Sequence, residues 1–133
     1  MITIRNYKKS DFAMISGWWK KANEIGPLET MLPPESSFVA EIDNVPSLCV
    51  SLYLTNITEF CYAENFIGNP EMKGTLRREA SHVLAKHVEG FAKNRGYKRL
   101  LCMAHKGPVK HRYEELGYSR TLDDVTTFCR ILE

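Results

Sequence analysis

Residues 57–104 read ITEFCYAENFIGNPEMKGTLRREASHVLAKHVEGFAKNRGYKRLLCMA, and this stretch decides the fold. It opens with a strand over 57–67, which a Gly-Asn-Pro sequence ends. Apolar residues then recur at helical spacing over 75–95, which predicts the clearest helix of the chain, and Gly96 supplies its C-terminal stop. The apolar run over 97–104 predicts a strand that is covered on both faces.

The segments before this stretch predict a strand, a helix and two further strands. The first strand covers 2–7, where apolar and polar residues alternate. A helix follows, with Ser10 as its N-cap and Asp11 in its first turn. Strands over 36–42 and 47–54 come next, and short turns join them to the strand described above. This arrangement is typical of an antiparallel meander.

The C-terminal part predicts a further helix and a last strand. Gly107-Pro108 begins the helix, Gly117 ends it, and residues 125–132 form the strand. Helices must cover the faces of a sheet, so the order β-α-β-β-β-α-β-α-β predicts an α/β sandwich with a mixed, mostly antiparallel sheet. At ~100–200 residues per domain, the chain predicts a single domain over 1–133.

The composition excludes several classes of protein. The 133 residues include 18 Lys+Arg and 16 Asp+Glu, a net charge of +2, which argues against a dedicated nucleic-acid-binding protein. With 44% hydrophobic and 26% charged residues, the chain is not intrinsically disordered. No apolar run approaches the ~18 residues that a membrane span needs. The N-terminus has no signal-peptide pattern, so we expect a cytoplasmic protein with no membrane partner.

Cysteine and histidine spacing predicts no metal site. The cysteines show no CxxC spacing, and three of them lie in apolar, strand-like runs, which indicates buried thiols in a reducing compartment. His82 and His87 stand five residues apart, so they lie on different faces of the long helix. The four cysteines are Cys49, Cys61, Cys102 and Cys129.

Two basic clusters stand at predicted helix starts. Lys73, Arg77 and Arg78 surround the start of the long helix, where carboxylates are normally favoured. Free N–H groups and two guanidinium groups would bind a phosphate there, and the alternative is that both arginines are solvated surface residues. The second cluster precedes Tyr113, whose phenol, with a pKa of about 10, could protonate a departing thiolate. The alternative role for Tyr113 is packing.

These two helix starts together resemble the GNAT N-acetyltransferase superfamily. The second hallmark of that family is a small residue, two residues of any type, then leucine, Tyr-Glu, two more residues, glycine and an aromatic residue. The strand and helix order also matches the family over essentially the whole chain. The matching positions here are Val109, Arg112, Tyr113, Glu114, Gly117 and Tyr118.

The resemblance implies acetyl-CoA as cosubstrate and assigns residues to it. The strand before the long helix would bind the pantetheine arm, and the start of that helix would bind the pyrophosphate. Tyr113 matches the general acid of the family. The implied pantetheine contacts are Phe66, Ile67 and Gly68. The implied pyrophosphate contacts are Arg77, Arg78, Glu79, Ala80, Ser81 and His82, and Lys106, Val109 and Arg112 complete the implied cofactor site.

The chain departs from the family pattern in its phosphate loop. Glu79 and Ser81 stand where the family has glycine, and Lys106 stands where it has asparagine. Lysine reaches phosphates but accepts no hydrogen bond. Gly74 would then supply the tight turn, and Arg77 would supply charge in place of the backbone cradle.

A base must also deprotonate the attacking amine. Glu64 is our first candidate, and strand alternation predicts that it lies on the same side as Phe66. Glu59 has the opposite parity and ranks lower. His105 has a suitable pKa, and water is the remaining alternative.

The acceptor side follows from the first helix. Of the adjacent Trp18 and Trp19, one is expected in the core and the other half-exposed at a substrate cleft or on the surface. Glu29 and Glu35 add acidic character, which suits a cationic amine.

The sequence thus predicts an N-acetyltransferase that moves an acetyl group to a primary amine by direct attack, and a homodimer is one option. The alternative is a catalytically lapsed GNAT-fold protein that binds a protein or nucleic acid.

Overall fold

The computed structural model describes residues 1–103, 113–119, 121 and 128–132. The chain divides into two compact units, 1–103 and 104–133. The first unit contains five strands and two α-helices. The strands are β1 (Ile2–Asn6), β2 (Ser37–Ile42), β3 (Val45–Tyr53), β4 (Cys61–Gly68) and β5 (Leu100–Cys102), and the helices are α1 (Phe12–Lys21) and α2 (Gly74–Asn94).

The five strands form one sheet in the order β1-β2-β3-β4-β5. Neighbouring strands from β1 to β4 run antiparallel, and β5 runs parallel to β4. A parallel neighbour requires a crossover connection, and α2 supplies it. The prediction of a mixed, mostly antiparallel sheet flanked by helices is confirmed.

Each face of the sheet is covered by one helix because side chains alternate along the strands. On one face, Phe38 and Leu48 pack with Leu84 of α2, and we call this the α2 face. On the other, Val39 and Cys49 pack with Trp18 of α1, and we call this the α1 face. Adjacent positions of β2 and β3 therefore belong to different cores.

Glycines end the helices at the predicted positions. Gly96 adopts φ +85°, and the N–H of Tyr97 donates to the carbonyl of Ala92 at 3.2 Å. Gly117 adopts φ +89° in the second unit, and the residue after it closes the same type of bond at 3.0 Å. This pattern is the Schellman motif, which glycine favours because it has no Cβ. Both predicted stops are confirmed.

The predicted cap of the first helix is wrong by one residue. Ser10 lies inside a single 3-10 turn, Lys9–Asp11, that leads directly into α1. The Asp11 carboxylate accepts the backbone N–H of Lys8 at 2.8 Å and two hydrogen bonds from Arg5 at 2.8 and 2.9 Å. Because Asp11 satisfies these donors, the carboxylate organises the turn and no Ser10 cap is needed.

Several strand limits also differ from the predicted ones. The β4 strand begins at Cys61 rather than residue 57, because the Thr55 hydroxyl bonds the carbonyl of Phe60 at 2.6 Å and closes a loop. The β5 strand is limited to Leu100–Cys102. The last predicted strand is wrong for residues 128–132, which have no regular structure, and its first residues, 125–127, lie outside the described chain.

Candidate functional site

The β4 strand has an open edge over its second half. Its parallel pairing with β5 joins Cys61 to Leu100 and ends where Ala63 meets Cys102. The strand itself continues to Gly68. Within residues 1–103, no strand pairs with this edge over residues 65–68. Backbone N–H and C=O groups at such an edge are available to a ligand that contains amides.

A β-bulge interrupts β4 beside this edge. Cys49 of β3 pairs with Ile67, but Ser51, two residues further on, pairs with Glu64, three residues back. The extra residue on β4 is accompanied by a positive φ of +58° at Asn65, in a conformation that asparagine tolerates better than most residues.

The bulge changes which face each β4 side chain occupies. Phe66 packs on the α2 face, and Ile67 lies in the core of the α1 face. Glu64 is opposite Ser51, which alternates with Cys49 on the α1 face. The prediction that Glu64 and Phe66 share a side is therefore wrong, because the extra residue shifts the alternation between them.

Arg77 occupies the space at the end of β4. A Cβ added to Gly68 would lie 3.1 Å from Cδ of Arg77 and 3.2 Å from Leu48. The same arginine places an Nη atom 3.8 Å from the corresponding point at Gly74. Arg77 is half-buried, and its guanidinium lies between the end of β4 and the start of α2, so a side chain at position 68 would require Arg77 or Leu48 to shift by a few tenths of an ångström.

The α2 helix begins at Gly74 with cations and without acidic residues in its first turn. The N–H of Arg77 bonds the carbonyl of Lys73 at 3.0 Å, so the N–H groups without a helical partner belong to the three residues before it. The positive end of the helix dipole and the Arg77 guanidinium repel each other unless an anion binds between them. Arg78 is exposed and points away from Arg77, since adjacent helix residues lie about 100° apart.

The other residues assigned to pyrophosphate lie deeper in the helix. Glu79, Ala80, Ser81 and His82 occupy the second and third turns, where backbone N–H groups bond within the helix. Ala80 and Ser81 are buried. The donors that the structure leaves for an anion are therefore those of the first turn.

The candidate bases differ in their surroundings. Glu59 forms ion pairs with Lys98 and Arg99, each at 3.0 Å, and their hydrogen bonds lower the pKa of its carboxyl. Glu64 is the register partner of Ser51, two residues from Tyr53 on the same face, and its charge adds to burial in raising the pKa of the Tyr53 phenol.

The remaining catalytic and cofactor residues belong to the second unit. Tyr113 lies there with its ring 5.5 Å from the ring of Tyr118. His105, Lys106, Val109 and Arg112 fall outside the described residues.

The two tryptophans behave as expected. Trp18 is buried in the core of the α1 face, and Trp19 is partly buried. A Cβ at Gly26 would lie 2.6 Å from the Trp19 ring, so the loop after α1 passes directly over the indole. Glu29 and Glu35 are exposed on that loop.

The sequence analysis did not single out two residues that shape the neighbouring ends of β3 and β4. Tyr53 ends β3, and Asn65 forms the bulge of β4. The signal for the bulge was an asparagine inside an otherwise β-favouring run, since asparagine is depleted in strands and tolerates positive φ.

Solved structures with this fold come from several organisms. A predicted acetyltransferase with acetyl-CoA from Clostridium acetobutylicum has a TM-score of 0.68 and 14% identity and covers 97% of this chain and 96% of its own. An aminoglycoside acetyltransferase from an uncultured soil metagenomic sample, in complex with sisomicin, has a TM-score of 0.71 and 13% identity and covers 99% of this chain and 97% of its own. Ard1 from Thermoplasma volcanium has a TM-score of 0.72 and 12% identity and covers 91% of this chain and 84% of its own.

These similarities show that the chain has the fold of the GNAT acetyltransferases. No family model and no curated protein sequence matches the chain. Among the described helices, none is both long and apolar enough to cross a membrane. Over the same residues, no group of three His, Cys, Asp or Glu side chains could hold a metal ion.

Proposed function

We propose that this protein is an N-acetyltransferase that moves an acetyl group from acetyl-CoA to a primary amine by direct attack in a ternary complex. The observation that carries the proposal is the edge of β4 over residues 65–68, with which no strand of residues 1–103 pairs, and which leads to Arg77 and the start of α2. Solved structures with the same fold include one with acetyl-CoA and one acetyltransferase in complex with sisomicin, and both support the proposal.

The residues at this edge suit the two ends of acetyl-CoA. The pantetheine arm contains amides, which would pair, as a strand does, with those backbone groups of Phe66, Ile67 and Gly68 that face away from β3. The diphosphate is anionic, and the first N–H groups of α2 together with the Arg77 guanidinium supply donors and positive charge. Gly68 fits this path because a side chain there would displace Arg77.

Arginine replaces the glycine-rich cradle in this proposal. The family pattern places glycines where this chain has Glu79 and Ser81, both inside the helix. A guanidinium offers up to five N–H donors in a fixed plane, so Arg77 makes up for the missing backbone donors. Lys106, Val109 and Arg112 remain proposed contacts of the cofactor.

The transfer requires one proton to leave the amine and one to reach the thiolate. The nitrogen of the neutral amine bonds to the thioester carbonyl carbon, and Glu64, His105 or water accepts the proton that this nitrogen then loses. The C–S bond breaks, and Tyr113 donates its phenolic proton to the sulfur. The tyrosinate recovers a proton from solvent. The backbone N–H of Ile67 or Gly68 polarises the carbonyl that is attacked.

Calorimetry with acetyl-CoA tests the cofactor site. We expect micromolar binding by the wild type and at least a tenfold loss in Arg77→Ala, because a charged hydrogen bond contributes about 1.5–3 kcal/mol. Lys86→Ala removes the same charge from an exposed position further along α2 and should bind like the wild type. If the folded wild type does not bind acetyl-CoA, the proposal is wrong, and a macromolecular ligand becomes the next hypothesis.

A further inference from the structure

The hydroxyl of Tyr53 joins two distant parts of the first unit. The side-chain amide of Asn65 donates a hydrogen bond to this hydroxyl at 2.6 Å. The hydroxyl in turn donates to the backbone carbonyl of Met31 at 2.9 Å. A phenol has one proton to donate, and it is used here, so the three groups form a directed chain from the β4 bulge to the loop after α1. We call this chain the Tyr53 clamp.

At one end, the clamp holds the bulge. Asn65 is the residue of β4 with a positive φ, and the extra residue there determines that Glu64 and Phe66 lie on opposite faces. Its amide is oriented by Tyr53, which belongs to the neighbouring strand. The conformation of the bulge therefore depends on the side chain of β3 as well as on the backbone.

At the other end, the clamp holds a short 3-10 turn, Glu29–Met31. The turn is closed by the N–H of Met31, which bonds Leu28 at 2.9 Å, and by the N–H of Leu32, which bonds Glu29 at 3.2 Å. Leu32 is buried in the core of the α1 face. The turn thus has an anchored backbone, while the side chains of Leu28, Glu29 and Met31 are exposed.

The face on which the clamp lies also carries the candidate base. Tyr62 is the register partner of Tyr53, and Glu64 follows it on the same face of β4. Ser51, the register partner of Glu64, is two residues from Tyr53 on the same face of β3, so Tyr53 and Glu64 are diagonal neighbours on this face. Tyr53 therefore links the Glu29–Met31 turn to the face of β4 that carries Glu64.

We infer that Tyr53 is a positioning residue, which fixes the Glu29–Met31 turn relative to the β4 bulge and so sets where the amine acceptor lies against the acetyl group. This inference rests on the proposed function. The hydroxyl acts through the turn and the bulge and needs no contact with acetyl-CoA. We expect loss of the hydroxyl to change the use of the acceptor and to leave the affinity for acetyl-CoA nearly unchanged, because backbone pairing with Cys49 and Leu48 still holds Ile67 and Gly68 in place.

Amide hydrogen exchange tests the clamp without an acceptor. In Tyr53→Phe, we expect the amides of Met31 and Leu32 to exchange about tenfold faster, because a lost neutral hydrogen bond contributes about 1.4 kcal/mol and each 1.4 kcal/mol is tenfold. Asn65→Gly keeps the positive φ and removes the amide, so it should raise the same two rates. The double variant should exchange no faster than the faster single variant. Tyr62→Phe is the matched control and should leave both rates unchanged.

Kinetics test the positioning role. Calorimetry should give Tyr53→Phe a dissociation constant for acetyl-CoA within twofold of the wild type. With an amine from a panel of spermidine, lysine and kanamycin, we expect the acceptor KM to rise at least fivefold, while the KM for acetyl-CoA stays constant. Faster exchange with unchanged acceptor kinetics would show that the clamp is only structural and would overturn the inference.

The two proposals fail in different ways. Unchanged exchange of Met31 and Leu32 in Tyr53→Phe overturns the clamp, whatever the protein binds. Absence of acetyl-CoA binding by the wild type contradicts the proposed function, and it also overturns the positioning role, since no acetyl group would then be presented to an acceptor.

Discussion

Arg77 crosses the end of β4 so closely that a Cβ at Gly68 would be in tighter than normal contact with it. The Cβ of an alanine there would lie 3.1 Å from Cδ of Arg77 and 3.2 Å from Leu48. A contact of this length requires the neighbour to shift by a few tenths of an ångström. The sequence predicted that Gly68 ends a strand and contacts pantetheine, and the relationship with Arg77 gives a steric reason for glycine at this position.

Gly68→Ala should therefore impair both folding and cofactor binding. Overpacking of this kind costs about 1–3 kcal/mol in the free energy of unfolding, which urea denaturation measures. The methyl group also displaces the side chain of Arg77 from the N-terminal end of α2, so acetyl-CoA binding should weaken. Gly90→Ala is the matched control, because a Cβ at Gly90 meets no atom within 4 Å. Wild-type stability and affinity in Gly68→Ala would contradict this account.

Substitutions at Asn65 separate backbone strain from the lost hydrogen bond. Asn65 adopts φ +58°, where an L-residue with a branched Cβ is strained by about 1–2 kcal/mol. Asn65→Val should be destabilised both by this strain and by loss of the hydrogen bond to Tyr53, whereas Asn65→Gly should be destabilised mainly by loss of the hydrogen bond. Chemical denaturation should rank the wild type first, glycine second and valine last. A valine variant as stable as the glycine variant would show that the bulge relaxes without strain.

The ion pair of Arg5 and Asp11 should make stability depend on pH. Hydrogen bonds from Arg5 are the largest cause that lowers the pKa of the Asp11 carboxyl. A carboxyl whose pKa is lower in the folded state stabilises the fold above its unfolded pKa, and this contribution disappears as pH falls through the folded pKa.

Asp11→Asn measures this contribution. At pH 7 the variant should lose about 1–3 kcal/mol in the free energy of unfolding, because charged hydrogen bonds are lost. The difference from the wild type should shrink steadily below the unfolded pKa of about 3.9. A difference that stays constant down to pH 2 would show that the ion pair is not its source.

The cysteines should differ in their reactivity toward iodoacetamide. Burial raises the pKa of the Cys49 thiol to about 12 and also raises the pKa of Cys61, so thiolate is scarce at both sites. Cys129 is exposed. Mass spectrometry of the native protein at pH 8 should find Cys129 modified first, and Cys49 and Cys61 modified only after denaturation. Early modification of Cys49 would indicate that the core of the α1 face opens readily.

Tyr113→Phe tests the proposed general acid. Loss of proton transfer should lower kcat by ~10²-fold, in the range that general acid catalysis contributes. Tyr118 is the matched control, because its ring lies 5.5 Å from that of Tyr113 and belongs to the same motif. Tyr118→Phe should retain kcat and acetyl-CoA affinity. Equal losses in both variants would show that the pair packs together and that Tyr113 has no separate chemical role.

Local signals account for the parts of the fold that were predicted. Gly96 ends α2 in a left-handed conformation, which glycine adopts readily, so the residue type alone predicts the stop. The turn between β2 and β3 is similar, since Asp43 and Asn44 both adopt positive φ, which their short polar side chains allow. The prediction of Ser10 as the N-cap was wrong because the Asp11 carboxylate organises this turn. It accepts hydrogen bonds from Arg5, which lies six residues away in the preceding strand.

The candidate site was predicted less well than the fold. The proposed phosphate-binding end of α2 was predicted from its cations. The helix begins at Gly74, so the N–H groups without a helical partner precede the residues taken from the family pattern. The prediction that Glu64 and Phe66 share a face was wrong because one extra residue in β4 reverses the alternation between them. Alternation assumes a regular strand, so it cannot reveal a bulge.

The sequence by itself determined the order of the elements, the apolar stripe of α2 and the glycine stops, because each depends on residues within a few positions of one another. Only the tertiary structure decided that Tyr53 joins Asn65 and Met31, which lie 12 and 22 residues away, and that Arg77 lies over Gly68. Contacts of this kind depend on strand register and on how the loops close over the sheet. A shift of one residue in the register would redirect every side chain involved.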